Sequence, residues 1–251
     1  MAAYDNHLKQ IRLNGFLGLL ERDGYVVFPG MVPAERVEPL AAAYDVAVAS
    51  APLEDVRVGR MTTRVNGVLS RVAELDGLLV NNTLLEAARR IIGGPFKLSS
   101  LHARTLRSGS SSEELHVDVQ RESDAWPIAS FILMVDAFRP DNGATRFVPS
   151  SQRSLSIPQE GAVENAAGAD RSVLACGAAG SLLVFNGSTW HGHTANVSSE
   201  PRRSIQGAFV PRAAQAAIDW NTRLPSEMLN RMGPLARYVL ALPGNDRDVV
   251  A

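Results

Sequence analysis

Two of the five histidines in this chain, His191 and His193, stand in the run from Ser188 to Asn196, and a double arginine, Arg202-Arg203, follows a polar turn. Seventy-five residues before His191 lies Leu115-His116-Val117-Asp118. In an extended strand residues i and i+2 share one face, so a strand here turns His116 and Asp118 the same way and Val117 and Val119 the other. Two imidazoles and one carboxylate make the facial set that holds non-haem Fe(II) and leaves coordination positions open. His191 and His193 also share a strand face, so spacing alone leaves either as the third ligand. A chelating co-substrate such as 2-oxoglutarate needs a cation for its far carboxylate, and the planar fork of arginine is the best side chain for that. Arg202 is eleven residues past His191, and residues 196–201 can reverse the chain so that the arginine strand returns beside the histidine strand. Ser204 and Gln206 then share the face of Arg202, while Arg203 points the opposite way as a solvated strand charge. Without the downstream residues, His116 and Asp118 read equally as a surface ion pair or a satisfied sheet-edge pair.

The elements that must position these residues change texture near residue 94. Before it the pattern is helical: residues 8–22, a helix opening at Val32-Pro33-Ala34-Glu35, and a third capped by Asn82 or Thr83 and stopped at Gly93-Gly94. Asp23-Gly24 breaks into Tyr25-Val26-Val27-Phe28, a short strand, and residues 51–65 carry little pattern. After residue 94 short strands alternate with turns: Phe96–Leu106, the His-Val-Asp run, 127–138, 144–149, 172–174, 180–185, 189–194 and 202–210. That pattern favours an all-β closed or two-sheet architecture over a parallel sheet. Residues 225–240 return to helical spacing, and residues 150–170 are polar and rich in glycine and alanine. The expectation is one domain over 1–251: a helical region to about 94, a β core over about 95–211, and a helical tail.

The totals exclude several classes. With 251 residues, 45% hydrophobic and 20% charged, and a net charge of −1, the chain reads as an ordinary globule with no sign of nucleic-acid or acidic-membrane binding. One cysteine, Cys176, rules out an internal disulfide framework. The N-terminal residues lack the layout of a signal peptide and no apolar run is long enough to span a bilayer, so the expected compartment is cytoplasmic. Oligomeric state is silent.

His-x-Asp, Asn-Gly-Ala-Thr-x-x-Val-Pro-x-Ser, Gly-Ser-Leu-Leu-Val-Phe-x-Gly-x-x-Trp-His-Gly and Asn-x-Ser-x-x-Pro-Arg-Arg together resemble the phytanoyl-CoA dioxygenase family over roughly residues 15–240. The resemblance implies a double-stranded β-helix, or jelly roll, and Fe(II)/2-oxoglutarate-dependent oxygenation with O2, succinate and CO2, ascorbate serving as reductant. Carried over by position, it implies His116, Asp118 and His191 as metal ligands, Asn196 at the family's asparagine and Arg202 as the co-substrate arginine. His193 and Thr105 are further candidates for co-substrate contact, His193 near the site and Thr105 or Arg107 from the preceding strand. One departure is Ser151-Gln152, where relatives often carry a Gly-Ser-His-like turn. Halogenating relatives replace the aspartate by a small residue; Asp118 is present, which implies hydroxylation of a small metabolite instead. Desaturation, epoxidation or cyclisation at the same iron is the alternative outcome, and a non-catalytic metal-binding jelly-roll sensor is the alternative of another class. Pocket residues are expected from 51–80, 150–170 and the C-terminal helix, with Trp126 near the site and Trp190 in the core.

Overall fold

The computed structural model describes residues 2–120, 128–154 and 171–243, with side chains from residue 10 onward. A long helix, α1 (Ala2–Asp23), turns at Gly24 into β1 (Tyr25–Phe28). Gly24 sits at φ +83°, the left-handed region that a residue without a Cβ enters freely. Next come α2 (Ala34–Ala49), β2 (Val56–Val58), β3 (Thr62–Asn66), the single turn α3 (Asp76–Leu79) and α4 (Asn82–Ile92). Asn81 caps α4 by accepting the Leu84 N–H at 3.0 Å, one residue before the expected cap, and Gly93 ends the helix at φ +76°. The strands of the core are β4 (Phe96–Leu106), β5 (Ala129–Met134), β6 (Thr145–Phe147), β7 (Val173–Ala175), β8 (Leu182–Asn186), β9 (His191–His193) and β10 (Arg202–Pro211). The tail forms α5 (Trp220–Arg223), α6 (Ser226–Arg231) and α7 (Pro234–Val239), so the helical spacing over 225–240 resolves into two short helices parted at Gly233.

Seven strands make one antiparallel sheet in the order β1-β8-β5-β10-β4-β3-β2, and three make a second in the order β7-β6-β9. This is a jelly roll, as the resemblance implied. Strand alternation sorts the side chains of the large sheet. Phe131, Leu133 and Val135 from β5 and its end, Leu182 and Val184 from β8, and Ile205 and Phe209 from β10 join the cluster under the helices. Their alternates Ile132, Met134, Leu183 and Phe185 face inward and pack with Phe138, Ala144, Phe147 and Ala175 between the sheets. The inward alternates of β10 and β4 are polar instead: Arg202, Ser204 and Gln206 beside Arg104 and His102. There the space between the sheets opens into a cavity of about 360 Å³.

Two expectations are corrected. Residues 51–65 are not patternless loop but carry β2 and most of β3, paired Val56↔Val65 and Val58↔Thr63 at the sheet edge. Of the residues in these two strands Val65 alone is buried, so no apolar alternation marks them. The His-Val-Asp run is not a regular strand; His116 makes an isolated bridge to His191 and the ladder stops there. Among the described residues no helix is long and apolar enough to cross a membrane.

The edge hairpin and the C-terminal tail are joined through one carboxylate. Asp55 is 4% exposed and pairs with Arg71 at 2.6 Å and with Arg223. Removing it leaves two half-buried guanidiniums without a counter-charge. Asp55→Ala is therefore expected to lower unfolding stability by about 3 kcal/mol, read as a drop in urea midpoint at unchanged m-value; a loss below 0.5 kcal/mol means this pair joins nothing.

Candidate metal centre

His116 and His191 are brought together by their own backbones: His116 N–H donates to His191 O at 2.8 Å and His191 N–H donates to His116 O at 2.9 Å. Their rings lie 4.4 Å apart between centroids. Past His116 the chain follows residues 187–188 rather than a ladder. The Asp118 N–H donates to Gly187 O at 2.8 Å, and the Ser188 hydroxyl donates to Val119 O at 3.0 Å. Gly187 permits this approach, because a Cβ there would stand 3.0 Å from Ile128 and 3.3 Å from the Cβ of Asp118. His116 and Asp118 thus converge without the strand that sequence spacing invoked.

One atom from each of His116, Asp118 and His191 lies within 4.8 Å of the others. His191 Nδ1 bonds Thr189 O at 2.7 Å and His116 Nδ1 bonds Glu114 O at 3.0 Å. A carbonyl only accepts, so each Nδ1 carries the proton and each Nε2 lone pair is free for a cation. Asp118 Oδ2 accepts the Ser130 hydroxyl at 2.6 Å, while Oδ1 stands 3.7 Å from His191 Nε2. Burial drives the His191 imidazole below its ordinary pKa, offset in part by Asp118, so it is held neutral as a ligand must be. Phe185 packs on the His191 ring at 4.7 Å and fixes its plane. The donor set and its fixed tautomers fit a divalent transition metal with open positions.

The segment before His191 is clamped from the N-terminal side. Thr189 Oγ1 donates to Gly24 O at 3.1 Å, the Asn186 N–H donates to the same carbonyl at 2.8 Å, and Gln152 donates to Glu21 O at 3.3 Å. Gln152 is buried, so the departure at Ser151-Gln152 has a positioning role that the motif comparison did not show. After the histidines, the fully buried Asn196 closes the turn: its Nδ2 donates to Glu200 O at 2.9 Å and to Arg107 O at 3.2 Å, and its Oδ1 accepts from Ser198.

Arg202 enters the cavity 2% exposed, donating Nη1 to Gly143 O at 2.6 Å, its guanidinium 4.0 Å above the Phe138 ring. Its Nε has no partner. Burial, then Arg104, presses its pKa down to about 9, which leaves it charged at neutral pH. His193 lines the same cavity, 3% exposed, with its Nε2 3.7 Å from Glu113. Burial keeps it below its ordinary pKa. Thr105 does not reach the site: its register partner is Arg203, on the helix side, and its hydroxyl meets Tyr44 OH at 2.8 Å. Arg203 is likewise not a solvated charge but pairs with Asp136 at 2.7 Å and Asp45 at 2.6 Å. Arg107 bonds the carbonyls of Gly59 and Arg60, away from the cavity.

Strands supply most of the cavity wall, with only Arg64 from the 51–80 region. Most of the 150–170 loop and Trp126 lie outside the described residues. Trp190 is only partly buried, and its backbone N–H donates to Ser151 Oγ at 2.8 Å. Sequence reading missed Ser130, Glu113 and Arg64. Ser130 had a signal, a lone hydroxyl within the apolar run Ala129–Met134; Glu113, in a loop, had none.

The family profile described as phytanoyl-CoA dioxygenase (PhyH) matches residues 20–204. The chain is 28% identical over 179 residues to dioxygenase af480 of Aspergillus fumigatus, which covers 67% of this chain and only 56% of that relative's length. It is 23% identical over 254 residues to dioxygenase cdmD of Talaromyces verruculosus, covering 88% and 81%. Among solved structures it is similar to the epimerase SnoN in complex with Fe3+, alpha ketoglutarate and nogalamycin RO, with a TM-score of 0.67, 21% identity and coverage of 80% and 84%. It is also similar to HygX from Streptomyces hygroscopicus with nickel, 2-oxoglutarate and hygromycin B bound, at a TM-score of 0.62, 15% identity and coverage of 80% and 88%. At these identities the likeness to solved structures establishes the shared fold.

Because Ser130 holds the Asp118 carboxylate, Ser130→Ala is expected to weaken metal affinity about tenfold, and Asp118→Ala more severely, in anaerobic titration with Co(II) followed by its absorption. Unchanged affinity in Asp118→Ala removes the carboxylate from the centre.

Proposed function

This chain belongs to the phytanoyl-CoA dioxygenase family, and we propose that it is an Fe(II)- and 2-oxoglutarate-dependent dioxygenase. In this reading residues 1–251 act as one domain that hydroxylates a C–H bond of a small metabolite, with release of succinate and CO2. The observation that carries it is the meeting of His116, Asp118 and His191 within 4.8 Å on the wall of a cavity that also receives Arg202. His116, Asp118 and His191 would hold the iron, which would supply the activation of O2 with 2-oxoglutarate as the two-electron donor.

The chain's own residues do the rest. The Thr189 and Glu114 carbonyls hold the two imidazoles with Nε2 toward the centre, and Ser130 orients the carboxylate. Arg202 offers the free edge of a guanidinium already fixed by Gly143 O and Phe138, a pre-set fork for the far carboxylate of 2-oxoglutarate. His193, across the strand pair from Thr145, flanks the same space and is assigned to the co-substrate side. Phe185 and Ile128 present apolar surface beside the carboxylate and help to keep the centre dry. The cavity volume of about 360 Å³ is at the small end of the range of roughly 300–1,000 Å³ usual for ligand sites. Small molecules bound in SnoN and HygX support the same substrate class.

The reading is tested by incubation with Fe(II), ascorbate, O2 and 2-oxoglutarate against a metabolite panel, where succinate release dependent on one panel member is expected. Removing the partner of a buried charge costs about 2–5 kcal/mol, so Arg202→Ala is expected to raise the Kd for 2-oxoglutarate at least about 30-fold. Absence of 2-oxoglutarate binding to the Fe(II)-loaded protein in anaerobic titration defeats the proposal.

A further inference from the structure

The inner wall of the cavity carries more positive charge than the anchoring of 2-oxoglutarate uses. Register places the residues: Arg202 faces Leu106, Ser204 faces Arg104 and Gln206 faces His102, while Arg64 on β3 lies beside Arg104. Moving along the wall from Arg202, the next inward step is therefore Arg104, then the pair His102 and Gln206. Arg104 is partly buried, its side chain 13% exposed, and it is poorly paired among the described residues. Its Nη1 reaches Gln206 Oε1 at 3.4 Å, its Nη2 stands 3.6 Å from Glu113, and its Nε is buried with no partner. The Nε2 of His102 is buried and unpartnered as well.

Among the described residues Glu113 is the nearest carboxylate to Arg104, with Asp118 farther along the same cavity, and Glu113 also faces His193 at 3.7 Å. Among the described residues three guanidiniums, Arg64, Arg104 and Arg202, line the cavity against two carboxylates, Glu113 and Asp118, which leaves positive charge in surplus there. A buried charge without a partner is costly, and a buried N–H without an acceptor costs further. A neutral occupant would leave both costs standing; an anionic one removes them. Glu113 also selects the anion, since a dianion beside it would meet repulsion that a single carboxylate meets only in part. The arginine fork matches a carboxylate in two parallel hydrogen bonds. Burial, with Arg64 and Arg104 nearby, presses His102 to about 4, so it is a neutral hydrogen-bonding side chain here and not a further cation.

We propose that the substrate oxidised at this site carries a carboxylate, received by Arg104 together with Gln206 and His102, one strand step along the wall from the Arg202 that anchors 2-oxoglutarate. This assignment rests on the function proposed above and adds the chemical class of the substrate. Arg104 is thereby a specificity residue: it fixes one end of the substrate and so sets which carbon lies beside the metal.

The test uses hexanoate and its uncharged isostere hexanamide, titrated calorimetrically into the Fe(II)-loaded protein saturated with 2-oxoglutarate without oxygen. Hexanoate is expected to bind at least tenfold more tightly than hexanamide. Arg104→Gln is expected to erase that preference while the Kd for 2-oxoglutarate stays within threefold, and Arg104→Lys to restore part of the preference. Equal binding of acid and amide, or binding of neither, overturns the assignment. So does a tenfold or greater rise in the 2-oxoglutarate Kd of Arg104→Gln, which makes Arg104 a second arm on the co-substrate. Should Arg104→Gln fail to fold, Gln206→Leu is expected to narrow the preference at least threefold, and an unchanged preference counts against the assignment. Failure of 2-oxoglutarate to bind the unaltered protein defeats the function and not this site, because the acid-over-amide preference is then read on protein without 2-oxoglutarate.

Discussion

The reciprocal pair of backbone hydrogen bonds between His116 and His191 is the constraint on which the site depends. Two short bonds, at 2.8 and 2.9 Å, fix side chains seventy-five residues apart in one frame. Neither side chain has to find the other through a flexible rotamer search, because the backbone has already set both Cβ directions. The carboxylate is placed by the same logic, through the Gly187 carbonyl and the absence of a side chain there. Pre-organisation of this kind is what lets a small set of ligands hold a metal without collapsing when it leaves.

The large sheet is two different materials on its two faces. Under the helices it is apolar and close-packed; inward, β5 and β8 remain apolar apart from Ser130, while β4 and β10 present arginine, histidine, serine and glutamine. Burying Arg202 at 2% exposure is unfavourable by itself and is tolerated because Gly143 O accepts a hydrogen bond and the Phe138 ring lies beneath the charge. Stability is surrendered along this half of the interior and supplied by the other half. Such a division is the ordinary signature of a site built into a core.

Much of this was legible beforehand. The strand Phe96–Leu106 and the helix ending at Gly93 follow from periodicity and stop signals, while the jelly roll and the convergence of His116, Asp118 and His191 follow from the family resemblance, since spacing alone leaves His191 and His193 open. What was hidden is tertiary. Thr105 and Arg104 are neighbours on one strand, and only the opposite sheet face decides that one meets Tyr44 and the other the cavity. Arg203 looked solvated because Asp136 and Asp45 are distant in sequence, and β2 with β3 escaped because an exposed edge leaves no apolar rhythm. The strand drawn through His116 and Asp118 reached the right convergence by a geometry the chain does not use.

One further consequence lies in the order of synthesis. β1 has a single neighbour in the sheet, β8, and Tyr25 finds its partner only at Phe185. At about 5–20 residues per second on the ribosome, the 160 residues that separate Tyr25 from Phe185 take on the order of ten seconds to make, and β1 waits that long for its partner strand. The carbonyl of Gly24, which steadies the approach to His191, is likewise unengaged during that interval. The corner that holds His191 is thus closed by a segment made about 160 residues before the strand it docks against, which ties the geometry of the candidate metal centre to long-range closure of the sheet.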